Sequence, residues 1–237
     1  MKIYNTEIGS GRTFVIAELC SNVISHLDNL ERCVEVVAGT GADAVKVQLF
    51  LAEHFPESEQ DQKRVVEFPR YRFEELVSLC HSRGLACGAS VFDEDAVDLV
   101  AEHGDFIKLA TREWRNDELW QSCYDNSNKI LTIRSFDFRQ ELNRSLVNIG
   151  KYADTVLYMA CFPEYPAKLL FIPDLRLTAW SSHTDHWLDC VVAVSRGAVA
   201  VEKHLAFAGD DPEVGWSLPP TGFAQMVRDI RWVESVR

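Results

Sequence analysis

The feature that most constrains this chain is a repeat: a short apolar run followed by an amphipathic helical stretch, recurring along 237 residues. The apolar runs are 14–19, 44–50, 85–90, 106–110, 130–133, 155–161, 177–181 and 199–203, about 26 residues apart. After the first run, Leu27, Leu30, Val34 and Val37 recur at helical spacing. Ser25 and Asp28 are expected to cap that helix, with Gly39 and Gly41 closing it. Asp93 is expected to cap a later helix that ends at Gly104. Eight such units predict an α/β fold, a single (β/α)8 TIM barrel covering 1–237 as one domain. The alternative, a doubly wound open sheet, would carry a glycine-rich phosphate loop after its first strand. The segment Leu19-Cys20-Ser21-Asn22 is not one.

Composition narrows the function classes. With 24 basic and 36 acidic residues the net charge is −12, which argues against nucleic acid as a partner. A small anionic substrate remains compatible, because a few focused cations overcome a diffuse negative field. The seven cysteines are scattered and form no C-x-x-C pair, so neither a zinc site nor a disulfide framework is expected. Met1 to Gly11 lacks a signal-peptide apolar core, and no membrane span is expected. A cytoplasmic location follows as an expectation.

Barrel enzymes build their sites at the C-terminal ends of the strands. Polar side chains at the ends of the apolar runs are therefore the candidates. Glu18 stands inside Phe-Val-Ile-Ala-Glu-Leu, where a carboxylate must be paired, hydrogen-bonded or tuned for proton transfer. Period-two alternation puts Lys46 and Gln48 on one face of the second run, away from Val45 and Val47. Ser90 ends the third run, and Lys108 ends the fourth with Thr111 and Glu113 just beyond. Ser181, His183 and His204 stand at the last two ends. Lys46, Lys108 and Lys203 together suggest a cationic cup for phosphate or carboxylate, since a buried ammonium is expensive without a task. His183 and His204, on neighbouring strand ends, are expected to share a divalent metal. Asp185 and His186 are expected to begin the next helix, Cys161 to be buried filler, and the six tryptophans to serve core or interface.

The same positions carry a family resemblance. Phe14-Val-Ile-Ala-Glu-Leu-Cys-Ser-Asn22 resembles the F-V-I-A-E-I-G-x-N-H opening of sialic acid synthases. Gly41-Ala-Asp-Ala-Val-Lys-Val-Gln-Leu-Phe50 is similar to their G-A-D-A-V-K-F-Q-T-F, and Phe106-Ile-Lys-Leu-Ala-Thr-Arg-Glu113 to their K-I-x-S-x-E. Ala89 to Asp93, Cys161 to Pro166, Ser181 to Thr184 and Gly197 to His204 resemble S-T-P-F-D, C-T-S-x-Y-P, S-D-H-T and G-A-x-x-I-E-K-H. The matches are collinear and cover nearly the whole chain.

The resemblance implies a transferase that condenses phosphoenolpyruvate with a small aldehyde or sugar acceptor and releases phosphate. It implies a divalent metal, Mn2+ or Mg2+, on His183 and His204, and phosphoenolpyruvate on Lys46, Ser90, Lys108, Thr111, Tyr165 and Ser181. Glu18, with the metal at His204, would carry the catalysis, while Gln48, Glu113 and Glu213 would meet the sugar. The chain departs from the family at Cys20, Val23, Pro163, Ser182, Glu213 and the strand-five stretch Ile133-Arg134-Ser135. The family's C-terminal antifreeze-like domain has no counterpart in these residues. The acceptor is therefore expected to be smaller than an N-acetylhexosamine, or to be held with help from a homodimer or a separate protein supplying that domain. The competing readings are a metal-dependent barrel hydrolase or isomerase, which would need no cationic cup, and a non-catalytic ligand-binding barrel.

Overall fold

The computed structural model describes residues 2–126, 131–137, 156–168, 172, 174–175 and 178–236, and the statements that follow concern these. Residues 130, 155 and 177, at the starts of three expected strands, lie outside them. Two short strands, β1 (Lys2–Ile3) and β2 (Thr6–Glu7), form an antiparallel hairpin. Eight parallel strands follow: β3 (Phe14–Glu18), β4 (Ala44–Leu49), β5 (Ala86–Val91), β6 (Phe106–Leu109), β7 (Leu131–Asp137), β8 (Val156–Cys161), β9 (Ala179–Ser182) and β10 (Ala200–His204). They close in chain order, with β10 paired to β3 so that His204 lies opposite Glu18. The chain is thus a (β/α)8-type barrel, as the repeat predicted.

Alternation sorts the strand side chains into two layers. Phe14, Ile16, Ala44, Phe106, Ile133 and Met159 point inward and pack with Ile3 and Ile8 of the hairpin segment, which fills the lower barrel. Gly88 of β5 faces Phe106, whose carbonyl oxygen would lie 2.4 Å from an added Cβ. Only glycine leaves room there for the Phe106 ring. Val15, Val45, Val47, Cys87, Ile107 and Val201 point outward against the helices. The lower barrel is therefore packed, and a cavity opens toward the strand C-termini.

The helices are α1 (Leu30–Thr40), α2 (Glu57–Arg64), α3 (Phe73–Ser82), α4 (Glu94–His103), α5 (Asp117–Asp125), α6 (Leu188–Ser195) and α7 (Pro220–Val236). Asp93 caps α4, accepting from the Ala96 amide at 2.8 Å. The first helix departs from expectation. Residues Cys20–Asn29 wind as 3-10 turns, α1 starts at Leu30, and no side chain caps it. Ser25 and Asp28 are not its caps, and Gly39 lies within it; Gly41, in the left-handed conformation at φ 81°, ends it. The reason is the strand end before it: Cys20 to Val23 are buried in the turn and held beside the barrel mouth. Helix α2 buries none of its side chains and belongs to the connection between β4 and α3, which crosses the mouth. No described helix is long and apolar enough to span a membrane.

Candidate active site

A cavity of about 610 Å3 opens at the C-terminal ends of the barrel strands. Its floor is built from residues of separate strands that alternation aims inward. Glu18 is fully buried, its Oε1 accepting the Cys20 amide at 2.8 Å and its Oε2 meeting Lys46 Nζ. Lys46 Nζ also donates to Ser90 Oγ at 2.7 Å. Lys108 Nζ donates to Glu202 Oε1 at 2.5 Å, and Ser181 Oγ donates to the same oxygen at 2.9 Å. The other oxygen, Glu202 Oε2, lies 3.6 Å from Lys46 Nζ, is buried and accepts no hydrogen bond. Glu202 thus stands between both lysines.

Burial and charge set the protonation of this floor. Burial pulls the Lys46 ammonium down to about 7, against the opposing pull of Glu202. Burial pushes the Glu202 carboxyl up, but the ammonium groups of Lys108 and Lys46 outweigh it and hold the carboxyl well below its usual range. His183 is driven down to about 3 by burial and by the neighbouring His204, so its imidazole is neutral. For Glu213, burial is outweighed by the charge and hydrogen bond of His204, and its carboxyl is lowered.

The two histidines meet as expected. Their ring centroids are 5.4 Å apart, with the planes steeply inclined. His183 Nδ1 bonds the Phe162 carbonyl at 2.9 Å, and His204 Nδ1 bonds Glu213 Oε2 at 2.7 Å. Each Nε2 has no protein partner among the described residues. Imidazoles oriented this way, one nitrogen tied to a carbonyl or carboxylate and the other free, are the usual donors to a divalent ion. The described residues hold no cluster of three or more His, Cys, Asp or Glu arranged to bind a metal. The two imidazoles could hold a divalent ion only in an open site, with water or substrate at the remaining positions.

The other expected residues divide. Gln48, Thr111, Tyr165 and Glu213 line the cavity with Glu18, Lys46, Ser90, Lys108 and both histidines. Thr111 Oγ1 is held by Ser135 Oγ at 2.8 Å and by Cys161 Sγ at 3.0 Å, which leaves Cys161 behind the wall as filler. Glu113 and Ser181 do not line the cavity. Glu113 is tied to Arg112 and Asn116 at its side, and Ser181 is buried beneath Glu202. Lys203 is a correction too. It points outward, donating to Ser182 Oγ at 3.0 Å and to the Thr184 carbonyl. The third member of the expected cup is absent because Lys203 lies between Glu202 and His204, so alternation turns it to the opposite face.

The floor is consequently not cationic. Two lysines face Glu18, Glu202 and Glu213, an excess of negative charge that a divalent ion would reverse. Glu202 is the main residue that the sequence reading missed, and its shared face with His204 was the available signal. Trp216 lines the cavity, against the expectation of a core or interface role, and Trp114 lines it while packing against the core. Of the departures from the family pattern, Val23 and Ser182 lie off the wall, while Cys20, Pro163 and Glu213 form part of it. Asp185 and His186 precede α6, which begins at Leu188, and stay outside the cavity.

The NeuB family model matches residues 33–237. The chain is 25% identical to an N,N'-diacetyllegionaminic acid synthase of Legionella pneumophila, over 96% of this chain and 74% of that protein. It is 23% identical to an N-acetylneuraminate-9-phosphate synthase of Mus musculus, over 95% and 71%. Among solved structures, a sialic acid synthetase of Leptospira borgpetersenii superposes with a TM-score of 0.87 at 20% identity, covering 100% of this chain and 89% of that one. A spore coat polysaccharide biosynthesis protein of Bacillus subtilis superposes at 0.80 with 24% identity, over 99% and 72%. The structural likenesses bear on the fold alone. The family match extends over most of the chain and through β4 to β10, which supply most of the cavity floor, and on that ground the chain belongs to the NeuB family.

Proposed function

We propose that this chain is a phosphoenolpyruvate-dependent synthase that forms a carbon–carbon bond with an aldehyde acceptor and releases inorganic phosphate. The observation that carries the reading is the convergence of Glu18, Lys46, Ser90, Lys108, His183 and His204 on one barrel-mouth cavity. The names of its relatives, an N,N'-diacetyllegionaminic acid synthase and an N-acetylneuraminate-9-phosphate synthase, support the reaction class.

Lys46, Ser90 and Lys108 bind the phosphate and carboxylate of phosphoenolpyruvate with charge-assisted hydrogen bonds. His183 and His204 would hold a divalent ion, Mn2+ or Mg2+, which would supply Lewis-acid polarisation of the acceptor carbonyl. The enol carbon C3 attacks the aldehyde carbon, whose oxygen takes a proton from solvent, and positive charge develops at C2. Glu18 then accepts a proton from the water that adds to C2. The resulting phosphohemiketal collapses: its hydroxyl proton passes to the leaving phosphate as the C–O bond breaks, a 2-keto acid and inorganic phosphate leave, and Glu18 returns its proton to solvent. Tyr165 and Gln48 orient the reactants on the wall. Holding both partners in one cavity replaces a bimolecular encounter. The test is consumption of phosphoenolpyruvate with Mn2+ across a panel of aldehydes. Aldehyde-dependent loss of phosphoenolpyruvate with one phosphate per turnover is expected; no loss with any aldehyde overturns the proposal.

A further inference from the structure

Three cations line the mouth of the cavity, above the floor: Lys63 of α2 and Arg112 and Arg115 of the segment after β6. Lys63 and Arg115 form no ion pair among the described residues. Arg112 pairs through Nε with Glu113 at 3.1 Å and donates through Nη2 to the His54 carbonyl. Lys63 Nζ and Arg112 Cζ lie 4.6 Å and 4.2 Å from the centroid of one ring, Phe55, which fixes both heads over the same aromatic platform. Of the charged side chains that line the cavity outside the floor, three are basic and one, Asp137, is acidic, against the average of a chain with 12 more acids than bases. The three basic side chains are also set apart from the floor lysines, which Glu18 and Glu202 already neutralise. A mouth of this kind attracts an anion that enters after the floor is filled.

Resting on the synthase reading, we infer that the aldehyde acceptor carries an anionic group at the end remote from its carbonyl, held by Lys63, Arg112 and Arg115. The carbonyl must reach the floor, where the bond forms, so the far end of a short aldehyde lies toward the mouth. A phosphate monoester and a carboxylate share the required chemistry, and guanidinium groups bind both in a forked manner.

The experiment compares matched aldoses and aldose phosphates of four to six carbons, and an aldose with its uronic acid, by phosphoenolpyruvate consumption with Mn2+. The charged member of a pair is expected to be at least ~100-fold better in kcat/KM, and the phosphate and uronate arms separate the two sources of charge. A Lys63→Ala, Arg115→Ala double variant is expected to raise KM for the charged acceptor at least ~10-fold while KM for phosphoenolpyruvate stays within about twofold. Equal turnover of neutral and charged acceptors, or a charge preference that survives the double variant, overturns the inference and leaves the synthase standing. Should no aldehyde consume phosphoenolpyruvate, the synthase reading falls, and calorimetric titration of the same aldose phosphates and the uronic acid decides the anion site independently. Binding that is lost in the double variant supports the site, and absence of binding by every charged aldose overturns it.

Discussion

Glu202 Oε1 accepts the Lys108 ammonium at 2.5 Å across 94 residues of sequence, and its other oxygen faces Lys46 at 3.6 Å. Glu202 therefore pairs Lys108 directly and shares the Lys46 ammonium with Glu18. Glu202→Gln would leave part of the ammonium charge unbalanced in a buried floor, which typically costs about 3–5 kcal/mol for a broken buried pair. Urea unfolding at neutral pH is expected to show a loss of roughly that size. The sign with pH follows from the lowered carboxyl of Glu202. A depressed folded-state value contributes stability above the ordinary glutamate range and loses it as pH falls toward the folded value. The wild-type chain should thus lose stability on acidification below about pH 4–5, and Glu202→Gln should show a shallower loss over that range.

Glu18 and Lys108 should separate chemistry from binding. Glu18→Gln keeps the size of the side chain and its bond to the Cys20 amide but removes its basicity. Turnover is expected to fall by at least ~10²-fold, with phosphoenolpyruvate affinity nearly intact by calorimetry. Lys108→Ala removes a charge-assisted donor and should weaken phosphoenolpyruvate binding by about 10- to 100-fold in the same measurement. Normal turnover by Glu18→Gln would remove Glu18 from the mechanism.

The histidine pair predicts a metal site that depends on Glu213. Mn2+ bound by the intact chain, followed by electron paramagnetic resonance, should be lost in His204→Ala. Glu213 touches His204 Nδ1 and orients the ring without being needed as a ligand. Glu213→Ala is expected to weaken Mn2+ binding by about 10- to 100-fold, the usual effect of removing such a partner. A Mn2+ site placed crystallographically away from both imidazoles would sink the assignment.

Cys20 occupies the left-handed region at φ 39°, where the family pattern has glycine. A side chain there costs about 1–2 kcal/mol, close to the entropy that glycine loses on folding together with the packing of the lost thiol. Cys20→Gly is therefore expected to change unfolding free energy by less than about 1 kcal/mol. Cys87→Gly, in the strand and core, should cost at least about 2 kcal/mol in the same assay. The comparison separates backbone relief from simple loss of packing.

The barrel was legible because each strand and its following helix write their own periods into the sequence, so local patterning alone orders eight units. The strand-end residues Glu18, Lys46, Ser90, Lys108, His183 and His204 were legible for the same reason: a polar residue in an apolar run stands out, and strand direction says which end it serves. What the pattern could not decide was pairing. Lys203 and Glu202 are equally conspicuous in sequence, and only the inward face that His204 shares with Glu202 separates them. The 94-residue contact between Glu202 and Lys108 exists because the barrel closes, through β10 on β3, and closure is a property of all eight strands together. The mouth was equally hidden, since Lys63 belongs to a helix with no buried side chain and hence no apolar stripe to announce it. Sequence by itself determined which residues sit at the ends of strands. Tertiary structure alone decided which charges neutralise each other and which remain free, because electrostatic compensation depends on distances across the barrel that no local period encodes.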